Sequence, residues 1–460
     1  MDLYNEISIG EFEFKNEIFN FDLDVNYLNL FKPNFLRFHR CTFNKSLKIS
    51  DVNLENLSIS FTDCIFTDQV EILNCKFYDL KFQNVNEIND IYITAIEVNT
   101  FKFSSGYNLE GDVLIHNATI KRSLHCSSIH NFNGKFSLDI NSFKNHQISS
   151  SFRKSTFRNL QLYGNLGSVD FEDLKINDYA VFIGAVFDES YFNKSIFGKK
   201  IIFNDCTFNS TVSFRECGSE ETDISFEVCI FKGNSFFTNA KFNTLSISDT
   251  TFESRVSFYG LKVNFIKLFL VTFQKLAFFD ELQINKLLAG ENHTKIEIEE
   301  AKLWRRTLRQ IKQELQKTDN KIDYNRFRSY ELAAYYNELN WKWNDGFRDK
   351  AILGATILFT GFDNNWRRAL AFTLAFALIF YSLFFNSENY LLAHKLFSWK
   401  EFISGYFRFL IVTDFYNPLA DGRHYIDNTN TIGWLIFILG KIFIAFGIYE
   451  MIQAFRKFKA

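Results

Sequence analysis

The feature that most constrains this chain is a phenylalanine that returns every five or six residues. Between residues 180 and 214 the series is Phe182, Phe187, Phe192, Phe197, Phe203, Phe208 and Phe214. The residue two places earlier is mostly small or β-branched: Ala180, Ala185, Ser190, Ser195, Ile201, Cys206 and Val212. This period matches neither the 3.6 residues of a helix nor the two of an ordinary strand. It predicts a solenoid, a chain that turns a corner at each repeat and stacks like side chains in successive turns.

The same two-residue unit extends over about residues 35–285. It is regular in residues 41–82 and again in residues 224–273. Residues 83–150 are less regular, although residues 113–120 keep the phase. We interpret these irregularities as bulges and surface loops within one continuous solenoid.

The repeats resemble those of the pentapeptide-repeat family, in its phenylalanine-rich form with mixed spacings of five and six. The resemblance implies a right-handed quadrilateral β-helix, with the phenylalanine and the residue two before it inside. About twelve coils at the ~4.8 Å spacing of β-strands give a rod ~55–60 Å long. Such a rod typically serves as a surface, spacer or docking arm.

Composition narrows the function classes. The 460 residues include 58 phenylalanines and two prolines, and the formal net charge is −2. Near-neutral charge argues against both a strongly basic nucleic-acid binder and an acidic DNA mimic. The amino terminus has no basic region followed by an apolar run, so we expect no signal peptide and a cytosolic solenoid.

The reactive side chains predict neither an enzyme nor a cofactor or metal site. Five of the seven cysteines occupy the small slot two before the core residue, where a free thiol fills space well: Cys41, Cys64, Cys75, Cys206 and Cys229. The eight histidines do not pair with acids or cysteines at ligand spacing, and no phosphate loop or nucleophile elbow occurs. We therefore expect a protein that is not an enzyme and needs no cofactor.

The composition changes near residue 290. An apolar heptad seam predicts an amphipathic helix rich in charge: Ala301, Trp304, Leu308, Ile311 and Leu315. The seam fits either a coiled coil or a helix that caps the end of the solenoid. A turn at residues 319–323 and a second helix at residues 324–343 complete a predicted connector.

Two apolar segments follow the connector. Residues 369–385 contain no charge and would extend ~26 Å as a helix, near the thickness of a bilayer core. Residues 432–452 form a second predicted span, interrupted by Lys441 and closed by Glu450. Basic residues flank the outer ends, which places both termini in the cytoplasm: Arg348, Lys350, Arg367, Arg368, Arg456, Lys457 and Lys459.

The segment between the spans predicts a pore element. Residues 397–414 are apolar and amphipathic, as in a re-entrant helix, and an irregular turn follows. The order of span, re-entrant helix, turn and span resembles bacterial proteins that fuse pentapeptide repeats to a two-transmembrane tetrameric channel module. The potassium-filter sequence is absent, and residues 413–416 (Thr413, Asp414, Phe415 and Tyr416) stand in its place.

Six residues are candidates for the pore lining: Thr413, Asp414, Tyr416, Gly440, Lys441 and Glu450. Lys441 either lines an aqueous path or is buried against a partner such as Asp414 or a backbone carbonyl. Glu450 either lies at the cytosolic mouth of the pore or, more simply, is an interfacial residue on a solvated helix end. Asp414 is either a charge at the mouth of the pore that attracts cations or a residue that caps a turn.

Glycine recurs every seven residues in the second span, at Gly433, Gly440 and Gly447. This spacing favours close helix packing, and a hinge at Gly440 is the alternative.

The sequence thus predicts three parts: a β-helix at residues 1–290, a connector at 291–350 and a membrane domain at 351–460. The predicted function is an oligomeric channel, with a tetramer as the expected assembly, in the bacterial inner membrane and gated by its cytosolic β-helix. The resemblance implies a toxic effector of defence against phage, controlled by a nucleotide or oligonucleotide ligand or by a regulatory protein. The alternative is a membrane-anchored scaffold whose rod docks partner proteins.

Overall fold

The protein divides into two compact units, Met1–His293 and Thr294–Ala460. The structure is a computed structural model. It describes residues 12–25, 28–141, 148–285, 298–342, 346–362, 365–388, 397–420, 424–426 and 430–456. The structure groups the predicted connector and membrane helices in one unit, so the boundary between them near residue 350 stays a prediction.

The first unit is a β-solenoid of about 13 turns. One short helix, α1, spans Leu28–Phe31. The strands of the first half are β1 (Glu13–Lys15), β2 (Ile18–Phe19), β3 (Leu23–Asp24), β4 (Phe35–His39), β5 (Thr42–Phe43), β6 (Leu47–Ser50), β7 (Asn53–Thr62), β8 (Ile65–Phe66), β9 (Val70–Gln83), β10 (Glu87–Ile88), β11 (Ile91–Phe103), β12 (Ser105–Leu109), β13 (Val113–His125), β14 (Ile129–Ile140), β15 (Ser149–Ser151) and β16 (Thr156–Asp170).

The second half of the solenoid is the more regular. Its strands are β17 (Lys175–Tyr191), β18 (Ile196–Phe197), β19 (Lys200–Asn204), β20 (Thr207–Phe208), β21 (Val212–Ser213), β22 (Asp223–Glu227), β23 (Ile230–Phe231), β24 (Ser235–Phe236), β25 (Lys241–Ser248), β26 (Thr251–Phe252), β27 (Val256–Ser257), β28 (Lys262–Phe269), β29 (Thr272–Phe273), β30 (Ala277–Phe278) and β31 (Gln283–Ile284).

Parallel pairing joins each turn to the next in the register that the repeat predicts. Phe208 pairs with Phe231, and Phe231 pairs in turn with Phe252. Their rings stack at centroid distances of 4.5 Å in both steps. Each inward ring therefore lies on its equivalent in the neighbouring turn, which confirms the predicted phase.

Three such phenylalanine columns fill the second half of the solenoid. They run through Phe182, Phe203 and Phe226; through Phe187, Phe208, Phe231, Phe252 and Phe273; and through Phe171, Phe192, Phe214, Phe237, Phe258 and Phe279. Offset-stacked aromatic pairs contribute about 0.5–1.5 kcal/mol each beyond their area burial. Rings of neighbouring columns meet edge to face, as those of Phe203 and Phe214 do, and the core also contains small and aliphatic residues such as Ala185, Ile201 and Val212.

The irregular middle stays within the solenoid. β11 pairs with both β9 and β13, and β14 pairs with both β13 and β16. The register shifts at several points there, and Phe103 and Phe132 meet edge to face instead of stacking. The ladder is therefore continuous through the described residues of this segment, with bulges as predicted.

The described residues of the second unit form six helices. They are α2 (Ile298–Lys317), α3 (Lys321–Glu338), α4 (Phe347–Thr360), α5 (Trp366–Asn386), α6 (Trp399–Phe409) and α7 (Thr431–Arg456). α5 and α7 are long and apolar enough to cross a membrane. Both predicted spans and the helix between them therefore appear as helices.

α2 and α3 form a hairpin around the predicted heptad seam. The five seam residues of α2 are buried, and Asn320 caps α3 by accepting a hydrogen bond from the Asp323 N–H. Glu331 of α3 forms ion pairs with Arg309 and Lys312 of α2. The predicted turn at residues 319–323 thus overlaps the connection between two antiparallel helices, residues 318–320, but α3 begins at Lys321, three residues earlier than predicted.

Candidate functional site

The middle of the second unit is an apolar cluster to which three helices contribute. Tyr381 and Phe384 come from α5, Phe409 from the end of α6, and Phe437 and Ile444 from α7. The Phe409 ring lies 5.6 Å from those of both Tyr381 and Phe437. The carboxyl end of α6 is therefore buried between the two long apolar helices, and the Tyr406 hydroxyl of α6 donates a hydrogen bond to the Leu374 carbonyl in the middle of α5 at 3.0 Å.

Lys441 lies in this cluster and is 4% exposed. Its ammonium donates hydrogen bonds to the Phe409 carbonyl at 2.9 Å and the Ile411 carbonyl at 2.6 Å. It also lies 5.2 Å from the centroid of the Phe409 ring and 5.0 Å from that of Phe437. This is the geometry of the second alternative, a lysine buried against backbone carbonyls; within its own chain the ammonium does not face an open path.

The glycines of α7 permit these close contacts. A Cβ at Gly440 would lie 2.5 Å from the Phe409 ring, and one at Gly447 would lie 2.0 Å from the Thr373 hydroxyl of α5. A Cβ at Gly433 would approach the Asn430 amide to 2.4 Å. Close helix packing, the favoured explanation of the seven-residue spacing, therefore accounts for Gly440 and Gly447, whereas Gly433 leaves room for the Asn430 side chain, which accepts a hydrogen bond from the Gly433 N–H at 2.8 Å.

The three candidates after α6 lie in a turn. Asp414 is half-buried, and its carboxylate accepts a hydrogen bond from the Tyr416 N–H at 3.0 Å. Thr413 is exposed, and the Tyr416 ring lies 5.0 Å from that of Tyr425. Asp414 therefore caps a turn, and whether these residues line a pore stays a prediction.

Glu450 is placed differently from its expected position at a solvated helix end. It is 3% exposed, and it accepts hydrogen bonds from the hydroxyls of Thr360 at 2.9 Å and Thr356 at 3.4 Å. Both threonines belong to α4. Hydroxyl donors at this distance compensate a buried carboxylate, which explains why burial is tolerated.

Sequence reasoning missed helix α4. Its signal is the apolar run at residues 351–359 between Gly346 and Gly361, which both adopt positive φ, at 85° and 62°. Lys350 at its start donates to the Leu339 carbonyl, and Asp349 accepts from the Tyr335 hydroxyl at 3.0 Å. α4 thus connects α3 to Glu450 of α7.

The cysteine side chains of the solenoid point into its core. All seven cysteines are buried and carry free thiols: Cys41, Cys64, Cys75, Cys126, Cys206, Cys217 and Cys229. Burial raises the pKa of the Cys75 thiol to about 11, and it also raises that of Cys126. In the described residues no group of three metal-ligating side chains comes together. The cysteines therefore fill space in the core, and the surfaces open to a partner are the outer faces of the rod.

Comparison with known proteins bears on the rod. Residues 167–218 match the family model of pentapeptide repeats, with nine copies. The rod is a β-solenoid that contains pentapeptide repeats. No curated protein and no solved structure shows significant similarity to the chain. The chain therefore combines a pentapeptide-repeat rod with a helical unit in which two helices could cross a membrane.

Proposed function

We propose that this protein is an oligomeric membrane channel, with α5 and α7 as its spans, α6 as a re-entrant helix and the pentapeptide-repeat rod as its cytosolic regulatory arm. The observation that carries the proposal is the burial of the α6 carboxyl end beside Lys441, deep between the two apolar helices. A simple anchor needs only the spans. A helix that enters halfway and turns back is typical of proteins that form an aqueous path.

Two features of the helical unit support this function. Lys441 and Glu450 are ionisable residues buried in helices of membrane-spanning length, and such residues typically serve a pathway or its control. In addition, one subunit with two spans cannot enclose a path, so the function requires several copies. The resemblance implies four copies in a bacterial inner membrane, and the basic residues that flank the two spans favour cytoplasmic termini.

The test is ion flux through full-length protein reconstituted in liposomes. Gly405→Leu is the informative variant, because a Cβ at this position of α6 would already lie 2.1 Å from the Tyr381 hydroxyl. Gly354→Ala in α4 is its matched control, since the nearest atom to a Cβ there is 3.8 Å away. We expect flux from wild type and the control, and strongly reduced flux from Gly405→Leu. Absence of flux from correctly inserted wild type would reject the channel.

The second candidate function is a membrane-anchored scaffold. The combination of a rod and two potential spans is compatible with it, and the rod exposes large apolar side chains such as Ile230 and Phe269. A scaffold predicts that Gly405→Leu leaves membrane insertion and partner capture by the rod unchanged. Flux that disappears in this variant would favour the channel.

A further part of the proposal rests on the resemblance. In this part, a nucleotide or oligonucleotide ligand, or a partner protein, controls the channel in defence against phage. Its test is the same liposome assay with candidate nucleotides added on the side of the rod. Flux that is indifferent to all of them would leave a channel without this regulation.

A further inference from the structure

The carboxyl end of α6 forms a cradle of partial negative charge inside the apolar cluster. The last carbonyls of a helix lack intrahelical partners, and this end of the macrodipole carries about half a negative charge. The Phe409 and Ile411 carbonyl oxygens converge on one point. The Phe409 and Phe437 rings flank the same point. Two carbonyl oxygens and two aromatic faces are groups that bind a desolvated cation.

The Lys441 ammonium occupies this point. It reaches the cradle because Gly440, the preceding residue, lets α7 approach the Phe409 ring so closely that a Cβ would lie 2.5 Å from it. We propose that the cradle is a monovalent-cation site that the chain itself fills with Lys441. The consequence for conduction rests on the proposed channel function: the Lys441 ammonium competes with permeating cations at the end of α6, so cation flux through wild type is expected to be lower than flux through Lys441→Met.

The ligand class follows from the donor set. The two groups that contact the ammonium are neutral carbonyls, whereas calcium typically takes six to eight oxygen ligands that include carboxylates. The nearby Asp414 carboxylate has one oxygen engaged with the Tyr416 N–H of its own turn. The cradle therefore suits a single positive charge of low hydration, such as K⁺, Rb⁺ or Tl⁺.

Binding of Tl⁺ to full-length protein in detergent tests the site without any assay of conduction. Lys441→Met removes the charge but keeps an unbranched side chain. We expect it to bind Tl⁺ with at least tenfold higher affinity than wild type, and its thermal transition to rise as Tl⁺ is added. Lys441→Arg, which keeps the charge, is expected to behave like wild type, and N-methylglucamine is expected to have no effect on any variant.

Three results would overturn the site: a folded Lys441→Met that binds no Tl⁺, a destabilised Lys441→Met that Tl⁺ and K⁺ fail to stabilise, and a variant that stays unfolded in high concentrations of K⁺. Rb⁺ flux in liposomes separates this inference from the channel itself. Tl⁺ binding by Lys441→Met without flux from any variant would reject the channel and keep the site. Flux without Tl⁺ binding would keep the channel and reject the site.

Discussion

The solenoid and the helical unit differ in the kinds of polar group that they bury. In the rod, Ser195 and Thr222 are buried, and their hydroxyls donate to backbone carbonyls, those of Phe171 and Phe197, respectively. In the helical unit the buried polar groups include the charges of Lys441 and Glu450. Buried charges are costly, so proteins keep them chiefly where they have a specific role. The repeat thus explains the architecture of the rod, whereas the buried charges of α7 mark the candidate site.

The largest expected effect tests the apolar core of the rod. Phe231 is 0% exposed and stacked on both sides, whereas Ile230, its neighbour in β23, is 40% exposed. Phe231→Asp would bury a carboxylate among rings at a cost of several kcal/mol, and we expect loss of the β-rich circular dichroism signal. Ile230→Asp is the matched control, with an expected change within about 0.5 kcal/mol. Equal effects of the two would refute the assigned phase.

The next prediction concerns glycine packing in the helical unit. Gly447→Ala would place a Cβ 2.0 Å from the Thr373 hydroxyl, so we expect destabilisation by about 1–3 kcal/mol. Gly354→Ala meets only an ordinary contact and is expected to stabilise α4 by up to about 1 kcal/mol, because alanine favours the helix. Thermal unfolding in detergent measures both. Opposite signs are expected, and two losses of similar size would contradict the close approach of α5 and α7.

A pH dependence separates the connector hairpin from the rod. Burial alone would raise the pKa of Glu331, but its ion pairs with Lys312 and Arg309 outweigh this, and the pKa is lowered. A lowered carboxyl pKa stabilises the folded state above the unfolded value of about 4.3, and this stabilisation is lost as the pH falls through the folded pKa. We expect α2 and α3 to lose helicity in acid. Glu331→Gln should have a flatter pH profile, and an identical profile would exclude this carboxyl as the cause.

The smallest expected effect lies at a corner of the rod. Asp205, Val228 and Asp249 follow equivalent strands in three successive turns, and all adopt positive φ, at 53°, 56° and 48°. A β-branched residue is disfavoured there, whereas asparagine and aspartate tolerate it. We expect Val228→Asn to stabilise the rod by about 0.5–1 kcal/mol in urea unfolding. Ile230→Asn, at an exposed strand position, should give no gain; an equal gain would mean that lost surface apolarity is responsible.

Sequence reasoning succeeded where a pattern repeats and failed where a contact depends on distant residues. The spacing of Phe182, Phe187 and Phe192 predicts the register of the regular turns, since each turn repeats the previous one, but not the bulges in the middle of the rod. The partner of Glu450 could not be deduced, because Thr360 lies 90 residues earlier on a helix that has only a short apolar run as its signal. Lys441 was singled out, but the sequence could not decide whether it lines an aqueous path or is buried against carbonyls. That choice depends on where α6 ends, because the carbonyls that Lys441 contacts belong to Phe409 and Ile411.

The paired register of the rod has an evolutionary consequence. Phe208, Phe231, Phe252 and Phe273 are equivalent and lie 23, 21 and 21 residues apart. Because each turn pairs only with its neighbours, a duplication or deletion of one whole turn preserves every contact type, whereas an insertion that does not match the repeat moves core residues to the outside. Changes by whole turns alter the length of the rod in steps of one strand spacing, ~4.8 Å. Relatives of this protein are accordingly expected to have solenoids whose lengths differ by whole turns.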